Sequence, residues 1–594
     1  MNAVFKNLAA SWSSIRLAVS LVGRSGRVLG AIAVAISVLT GLMVAVELLA
    51  IRDVVERLTN EQSASLALVV FGVATAIRRL MSSVGSELQW AIAERVERSV
   101  VQEVLVVATS APYEDFETPS FQNALNRALR AGQRDIWSAA WGLLRLMTSG
   151  FTIISLLVVL IALAPELLLP FSIAAVVLAI VAVVKGRLSY TLEFNDTEPD
   201  RERRYLRQAL VSQSEGKEIR LFATRSMLLD RHDRLFGQRV DAIRGVILRR
   251  LVADGAANIA LAAVVVGCLV IIAQRTGDTL AFSDAAVAAL TAHQLAGNLS
   301  GMFTGVSSIL QSTQNIGDLQ SFSQRPSTPQ PAVAVHQVKS LELRNASYTY
   351  PNTETPAVRN VNLTIGRGEL VAIVGENGSG KSTVAKMLTG LYRPTAGQVL
   401  LHRSDGSTEP VAAPLAGVVG AVFQDFARYE LSVEENVTLS DPRAAHDPAG
   451  VQGALSAAGM DEVVDQLADG IQTRLGRKFG GGIDLSIGQW QRLAIARAIY
   501  GRTPFVVLDE PSAALDPRIE AELFDEIRSL IPNRGLVLIS HRFASVTSAD
   551  RIVVMNEGEV VESGPHRELL KRNGLYASLF QLQARRYQLD AVLD

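Results

Sequence analysis

The sequence predicts two dissimilar halves in a chain of 594 residues: a bundle of six membrane-crossing helices, then an α/β domain built on a phosphate-binding loop. Three observations predict them. Long apolar stretches crowd the first half, a glycine-rich loop ending in Lys-Ser-Thr occupies 375–383, and a proline-rich segment at 323–337 marks an abrupt change of character between them. Composition agrees with a mixed molecule. Apolar residues make up 49 % of the chain and the mean hydropathy is +0.25, high for a chain that is soluble throughout. A formal net charge of −1 argues against a nucleic-acid partner. The one cysteine, Cys268, lies in an apolar run and reads as a core residue, so neither a disulfide framework nor a cysteine metal site is expected.

The N-terminal segment, 1–27, places Phe5, Leu8, Trp12, Ile15, Val19 and Val22 at helical spacing, with Lys6 and Arg16 between them, as in a helix lying on a membrane surface. A domain of six transmembrane helices is expected over 28–322, because about 20 apolar residues are needed to cross a bilayer. The spans are read at 28–51, 60–79, 139–163, 167–185, 254–274 and 284–309; polar residues dilute the second and the last. Basic residues are abundant in 78–136 and 185–250 and sparse in the short connections, which places both termini in the cytoplasm. The two basic segments mix charged and apolar residues at helical spacing, so the helices are expected to run on past the bilayer. Glu47, Arg145 and His293 are polar groups at membrane depth: Glu47 and Arg145 are near enough to span ends to reach the interface, and His293 precedes Gly297, Gly301 and Gly305 at four-residue spacing, a ladder suited to close helix packing or to a strip facing substrate.

Beyond the linker 323–337, the domain 338–594 has short apolar runs alternating with helical patterns. Gly375 to Thr383 satisfies the phosphate-loop pattern, following the buried-strand run Leu370 to Val374 and preceding the helical run Val384 to Leu391. Gly375, Gly378 and Gly380 let the backbone close around phosphate oxygens, Asn377, Ser379 and Thr383 lie in the same loop, Lys381 adds a full positive charge, and Ser382 is placed to ligate Mg²⁺. ATP and Mg²⁺ are the ligands this pattern implies. Phe505 to Leu508 then deliver Asp509 and Glu510 at the end of a second apolar run, where Asp509 would hold Mg²⁺ and Glu510 would polarise the attacking water.

Between these motifs, Leu485-Ser486-Ile487-Gly488-Gln489 resembles the signature of the ATP-binding cassette (ABC) proteins at four of five positions, Ile487 being the departure. The resemblance extends in the family's order to Tyr350, with Tyr348 as rival, for the aromatic on adenine; Gln424 for the Q-loop, which senses Mg²⁺; Ser512 to Asp516 for the D-loop; and His541 for the switch histidine. It implies the exporter half-transporter fold, six transmembrane helices followed by an α/β P-loop NTPase domain with a helical subdomain. It also implies that Ser486 and Gly488 touch the ATP of a second copy, so the working unit is a dimer, a homodimer by preference. Tyr113 to Glu117 with Phe121 to Asn123, and Gly216 to Leu221, resemble coupling helices in place.

The expected activity is ATP hydrolysis driving export of a peptide, drug-like or natural-product substrate across the cytoplasmic membrane by alternating access, with a faint likeness to lantibiotic exporters; a lipid flippase or an importer on the same fold is the alternative. With no peptidase region ahead of the spans, removal of any peptide leader is expected to fall to another protein.

Overall fold

The computed structural model describes residues 26–132, 136–195, 197–277, 280–325, 338–351, 353–441, 447–511 and 534–593. The surface helix expected over 1–27, most of the linker 323–337 and the D-loop residues 512–516 fall outside them. The chain divides into two compact units, Met1–Thr109 with Ser120–Pro326, and Ser110–Pro119 with Ser327–Asp594.

The first unit is helical. Its chain runs through α1 (Arg27–Thr59) and α2 (Ser65–Ser110), passes the short α3 (Tyr113–Phe116), which is counted with the second unit, and continues with α4 (Pro119–Arg130), α5 (Ile136–Leu163), α6 (Leu168–Asn195), α7 (Thr197–Val211), α8 (Gln213–Leu221), α9 (Arg225–Arg275) and α10 (Phe282–Ser323). Five of the segments in α1, α2, α5, α6 and α9 are long and apolar enough to cross a membrane by length and composition. α10 has 42 residues, but His293, Gln294 and Asn298 hold its hydropathy down. The 46 residues of α2 and 51 of α9 exceed the roughly 20 that a bilayer needs, so both continue past it, as their mixed charged and apolar halves imply. Residues 60–64, read from hydropathy as the start of the second span, form the turn before α2, with Glu61 at φ 53.

Packing in this unit follows small residues. A Cβ added at Gly142 of α5 would lie 2.9 Å from the Gly305 carbonyl oxygen of α10, and one at Gly305 would lie 2.9 Å from the Gly142 oxygen, so the two backbones touch. Gly41 of α1 meets the backbone of Phe151 in the same way, at 2.8 Å. Ser37 and Thr148 share a hydrogen bond of 2.9 Å across the α1–α5 contact. Helices in lipid gain from such close approach because burial among apolar tails adds little. The apolar core joins Leu48, Leu156, Leu160, Leu167, Phe171 and Leu295, and Cys268 is buried within it as a core residue. Glu47 does not reach the interface: it is buried and pairs with Arg78 of α2 at 2.8 Å, which removes the cost of an isolated carboxylate.

The second unit holds two sheets. β1 (Val338–Tyr348), β2 (Val358–Gly366), β4 (Ala396–Arg403) and β5 (Thr408–Pro410) form an antiparallel sheet in the order β2-β1-β4-β5. β3 (Leu370–Gly375), β6 (Val419–Val422), β7 (Phe505–Asp509), β8 (Gly535–Ile539), β9 (Arg551–Asn556) and β10 (Glu559–Gly564) form the second, in the order β10-β9-β3-β8-β7-β6. Its strands pair in parallel except β10, which is antiparallel to β9. β3, β7 and β8 are buried along their whole length, as strands covered on both faces must be. α11 (Lys381–Leu388) follows the phosphate loop; α12 (Val433–Thr438), α13 (Pro448–Ala457), α14 (Asp461–Asp465) and α15 (Ile487–Tyr500) form a helical region inserted between β6 and β7; α16 (Phe543–Val546), α17 (His566–Lys571) and α18 (Leu575–Leu593) complete the chain. Trp490, Leu493, Val437 and Leu455 tie that helical region to one face of the parallel sheet, and the antiparallel sheet covers the other.

If the Gly142–Gly305 contact sets the α5–α10 distance, Gly305→Val overpacks it and lowers stability by about 1–3 kcal/mol. Thermal unfolding in detergent checks this, with Gly297→Val, where a Cβ meets nothing within 4 Å, as the control expected to change little. Equal melting temperatures for both variants would refute the close contact.

Candidate functional site

The parallel order of the second sheet brings the C-terminal ends of β3, β7 and β8 to one edge, and three predicted motifs lie there in consequence. The phosphate loop joins β3 to α11 through Gly378 (φ 81) and Gly380 (φ 95), a left-handed backbone that glycine adopts without strain. A side chain at Gly380 would also press to 2.7 Å from the Ala357 oxygen. This turn wraps the Lys381 ammonium: Nζ donates to the Gly375 oxygen at 3.0 Å, the Glu376 oxygen at 2.7 Å and Ser379 Oγ at 3.4 Å. Burial lowers the Lys381 pKa, and Asp509 and Glu510 nearby oppose that shift by favouring the charge.

Asp509 ends β7 and is itself buried, which pushes its carboxyl pKa up; a hydrogen bond from the Ser382 side chain pulls it back down. Its Oδ1 is buried without a hydrogen-bond partner in the protein. A buried carboxylate oxygen lacking a donor, beside a hydroxyl, is the donor set expected for a hard divalent cation, so the residues fit Mg²⁺. Glu510 follows with φ 51, held by its N–H donating to the Ile539 oxygen at 2.9 Å. Its carboxylate lies 2.7 Å from His541 Nε2. Burial lowers the His541 pKa, Lys381 lowers it further, and Glu510 opposes both.

Lys381, Ser382, Glu510 and His541 line one cavity of about 760 Å³, and Asp509 lies outside its lining. Its walls include Tyr350, Asn377, Gly378, Gly380, Lys381, Ser382, Thr383, Gln424, Glu510 and His541. Of the two rival aromatics, Tyr350 is in the wall, with its hydroxyl 3.0 Å from Thr383 Oγ1. Tyr348 is buried instead, stacked on Tyr392 at 4.5 Å.

The signature residues do not line that cavity. Leu485 is buried, and Ser486 caps α15 by accepting from the Gln489 N–H at 3.3 Å, while the Gln489 side chain accepts from the Ser486 N–H at 2.8 Å. Gly488 lies in the first turn of that helix and Ile487 is exposed beside it. Asp516 lies outside the described residues. His293 and Gly297 form an exposed stretch of α10, while Gly301 faces Arg145 and Ser149 of α5.

Three further contacts were not legible as sites from sequence. Gln491, two residues past the signature, is buried and donates from Nε2 to the Glu510 carbonyl oxygen at 3.2 Å. Gln583 of α18 donates to the His541 oxygen at 2.6 Å, and with Leu579 and Leu582 it closes a second cavity of about 360 Å³ beside the phosphate loop. The short α3, which sequence reading singled out, is received by residues it did not. Glu117 accepts from the Tyr392 hydroxyl at 2.5 Å, Glu114 accepts from the Arg393 N–H at 2.6 Å, and Lys386 lies over the Tyr113 ring. Burial raises the Glu114 pKa, against the pull of Arg393.

Comparison with known proteins bears on the same elements. The ABC transporter family model matches residues 358–513. The nisin transport ATP-binding protein NisT of Lactococcus lactis subsp. lactis is 39 % identical over 243 residues, 41 % of this chain and 40 % of NisT, so in that match the chain spans less than half of its relative. The subtilin transport ATP-binding protein SpaT of Bacillus subtilis is 26 % identical over 556 residues, 91 % of this chain and 90 % of SpaT. Among solved structures, a bacterial Atm1-family ABC exporter with ATP bound superposes with a TM-score of 0.81 at 22 % identity, covering 94 % of this chain and 99 % of that one, a likeness of fold. Residues 358–513 thus match the ABC transporter family, and the helical bundle with the cassette that follows it gives the chain the fold of an ABC exporter, a helical domain and an ATP-binding domain in one polypeptide.

Proposed function

We propose that the chain is half of an ATP-driven efflux pump of the cytoplasmic membrane, working as a homodimer with both termini in the cytoplasm and exporting a peptide, drug-like or natural-product substrate. The observation that carries the dimer is the separation of the two halves of the ATP site: the cavity with Lys381, Glu510 and His541 lacks Ser486 and Gly488, which project from another part of the domain. One cassette therefore completes another's site. Phosphoryl transfer depends on positioning and on stabilising charge, which these groups supply.

In this reading Tyr350 stacks on adenine, and the loop N–H groups of Gly375 to Thr383 with Lys381 hold the phosphates. Ser382 and Asp509, with Gln424, hold Mg²⁺, which neutralises phosphate charge when bound. Glu510 orients the attacking water, and His541, whose pKa burial lowers, lies with Nε2 against Glu510 and reaches toward the γ-phosphate. The signature of the second copy supplies Leu485, Ser486, Gly488 and Gln489, and Asp516 lies at the dimer contact. Closure of the cassettes on ATP favours one of two membrane-domain states, and α3, seated on Tyr392 and Arg393, carries that preference. NisT and SpaT are named for the transport of nisin and of subtilin, which favours a peptide cargo.

The test is ATP-dependent uptake into inside-out vesicles of a labelled cyclic peptide, a cationic dye and a labelled lipid. Glu510→Gln should cut ATP turnover by about 10²-fold or more while ATP still raises the melting temperature, and Lys381→Ala should lose both. Uptake of a soluble probe that is abolished in Glu510→Gln supports export; movement of the lipid alone makes the protein a flippase. Ile487→Gly should speed turnover if the bulky residue hinders closure, and an unchanged rate sinks that idea. Glu117→Gln weakens the carboxylate's bond to Tyr392 and is expected to lower uptake per ATP hydrolysed; an unaltered ratio would remove α3 from the coupling path.

A further inference from the structure

Arg145 is a cation that its surroundings do not neutralise. It stands nine residues into α5, about 14 Å along the axis at 1.5 Å per residue, within a helix apolar enough to cross a bilayer. An unpaired charge within an apolar span is costly, and other charges in these helices have partners: Glu47 pairs with Arg78 and Lys185 with Asp254, both at 2.8 Å. Among the described residues no carboxylate lies within ion-pair distance of Arg145. Its guanidinium instead covers the Trp141 ring, 5.5 Å from the centroid. Trp141 stacks on Trp137 at 6.4 Å, and Trp137 meets Trp90 edge-on at 6.0 Å.

The facing surface of α10 leaves room. A Cβ at Gly301 would lie 3.8 Å from the guanidinium, and one at Gly297, a turn away, would meet nothing within 4 Å. The exposed stretch of α10 through His293, Gly297 and Thr304 is small and polar, whereas α5 farther along exposes Ile154 and Val158, which suit acyl chains. A guanidinium set over an aromatic face still has N–H groups to offer, and that fork matches a carboxylate or a phosphate.

We propose that Arg145, Trp141 and Trp137 form a binding site for an amphipathic anion. A carboxylate or phosphate pairs with the guanidinium beside Gly301, and a flat apolar body lies along the tryptophans. This names a chemical class of cargo and so rests on the export reading. A membrane phospholipid headgroup carries the same anionic chemistry, and the test separates the two sources.

The probes are a dansylated acyl-phenylalanine with a free carboxylate and its carboxamide, and binding to the full-length protein is read without nucleotide by tryptophan-to-dansyl energy transfer. The purified protein, in uncharged detergent, should bind the carboxylate about ten-fold more tightly than the amide, the increment of one charge-assisted hydrogen bond. Arg145→Gln should bring the two probes together, and Arg145→Lys should keep part of the preference. Reading the ratio of two probes in each variant cancels any general loss of folded protein. Equal binding by the wild type, absence of binding by either probe, or a preference that survives Arg145→Gln overturns the site. A preference present in phosphatidylcholine vesicles but abolished by added phosphatidylglycerol makes a lipid headgroup the occupant and overturns the cargo. Normal binding without uptake into inside-out vesicles would sink the export reading and leave the site standing; uptake without a charge preference would do the reverse.

Discussion

The wrapping of one buried ammonium constrains the whole ATP-binding domain. Lys381 is held by two carbonyl oxygens and a hydroxyl of the loop that precedes it, and that grip requires the left-handed turns at Gly378 and Gly380. The turn in turn needs a strand arriving at the right place, which is why β3 sits between β8 and β9, paired in parallel to each. Once β3 is central, the ends of β7 and β8 can only fall beside the loop. Asp509, Glu510 and His541 are therefore gathered by strand order, and the negative charges of Glu510 and Asp509 oppose the lowering of the Lys381 pKa by burial.

The membrane unit is organised by a different constraint. Without a hydrophobic force between helices in lipid, approach distance decides which pairs hold, and the reciprocal glycines of α5 and α10 bring backbone against backbone. That contact also fixes what surrounds it. One turn along α5 from Gly142 lies Arg145, and one turn along α10 from Gly305 lies Gly301, so the tight crossing places the guanidinium against a helix with no side chain there to cover it.

Legibility from sequence followed the range of the interactions. The phosphate loop, the acidic end of β7 and the histidine after β8 were legible because each is a short pattern whose chemistry needs those residues adjacent, and the spans in α1, α2, α5, α6 and α9 because apolar length is a local property. The His293 ladder was half legible: Gly301 and Gly305 do pack, but spacing alone cannot tell that Gly297 is open. Glu47 was misjudged because its partner Arg78 lies 31 residues away on another helix. The seat of α3 and the bonds of Gln491 and Gln583 are long-range for the same reason, and nothing in a linear pattern pairs Glu117 with Tyr392, 275 residues on.

The bond from Gln491 to the Glu510 carbonyl joins two functions that the motifs present as separate. α15 begins with Ser486, whose side chain is engaged in the helix cap, so the signature is as rigid as that helix. One turn later the same helix is fastened to Glu510, proposed above to orient water, a residue already in a left-handed conformation that few side chains favour. A buried amide donor is costly to leave unpaired, so a shift of α15 that broke this bond would be opposed. The helix that carries the signature, proposed to face a second copy, is thereby bonded to the strand edge that holds Glu510 in its own domain.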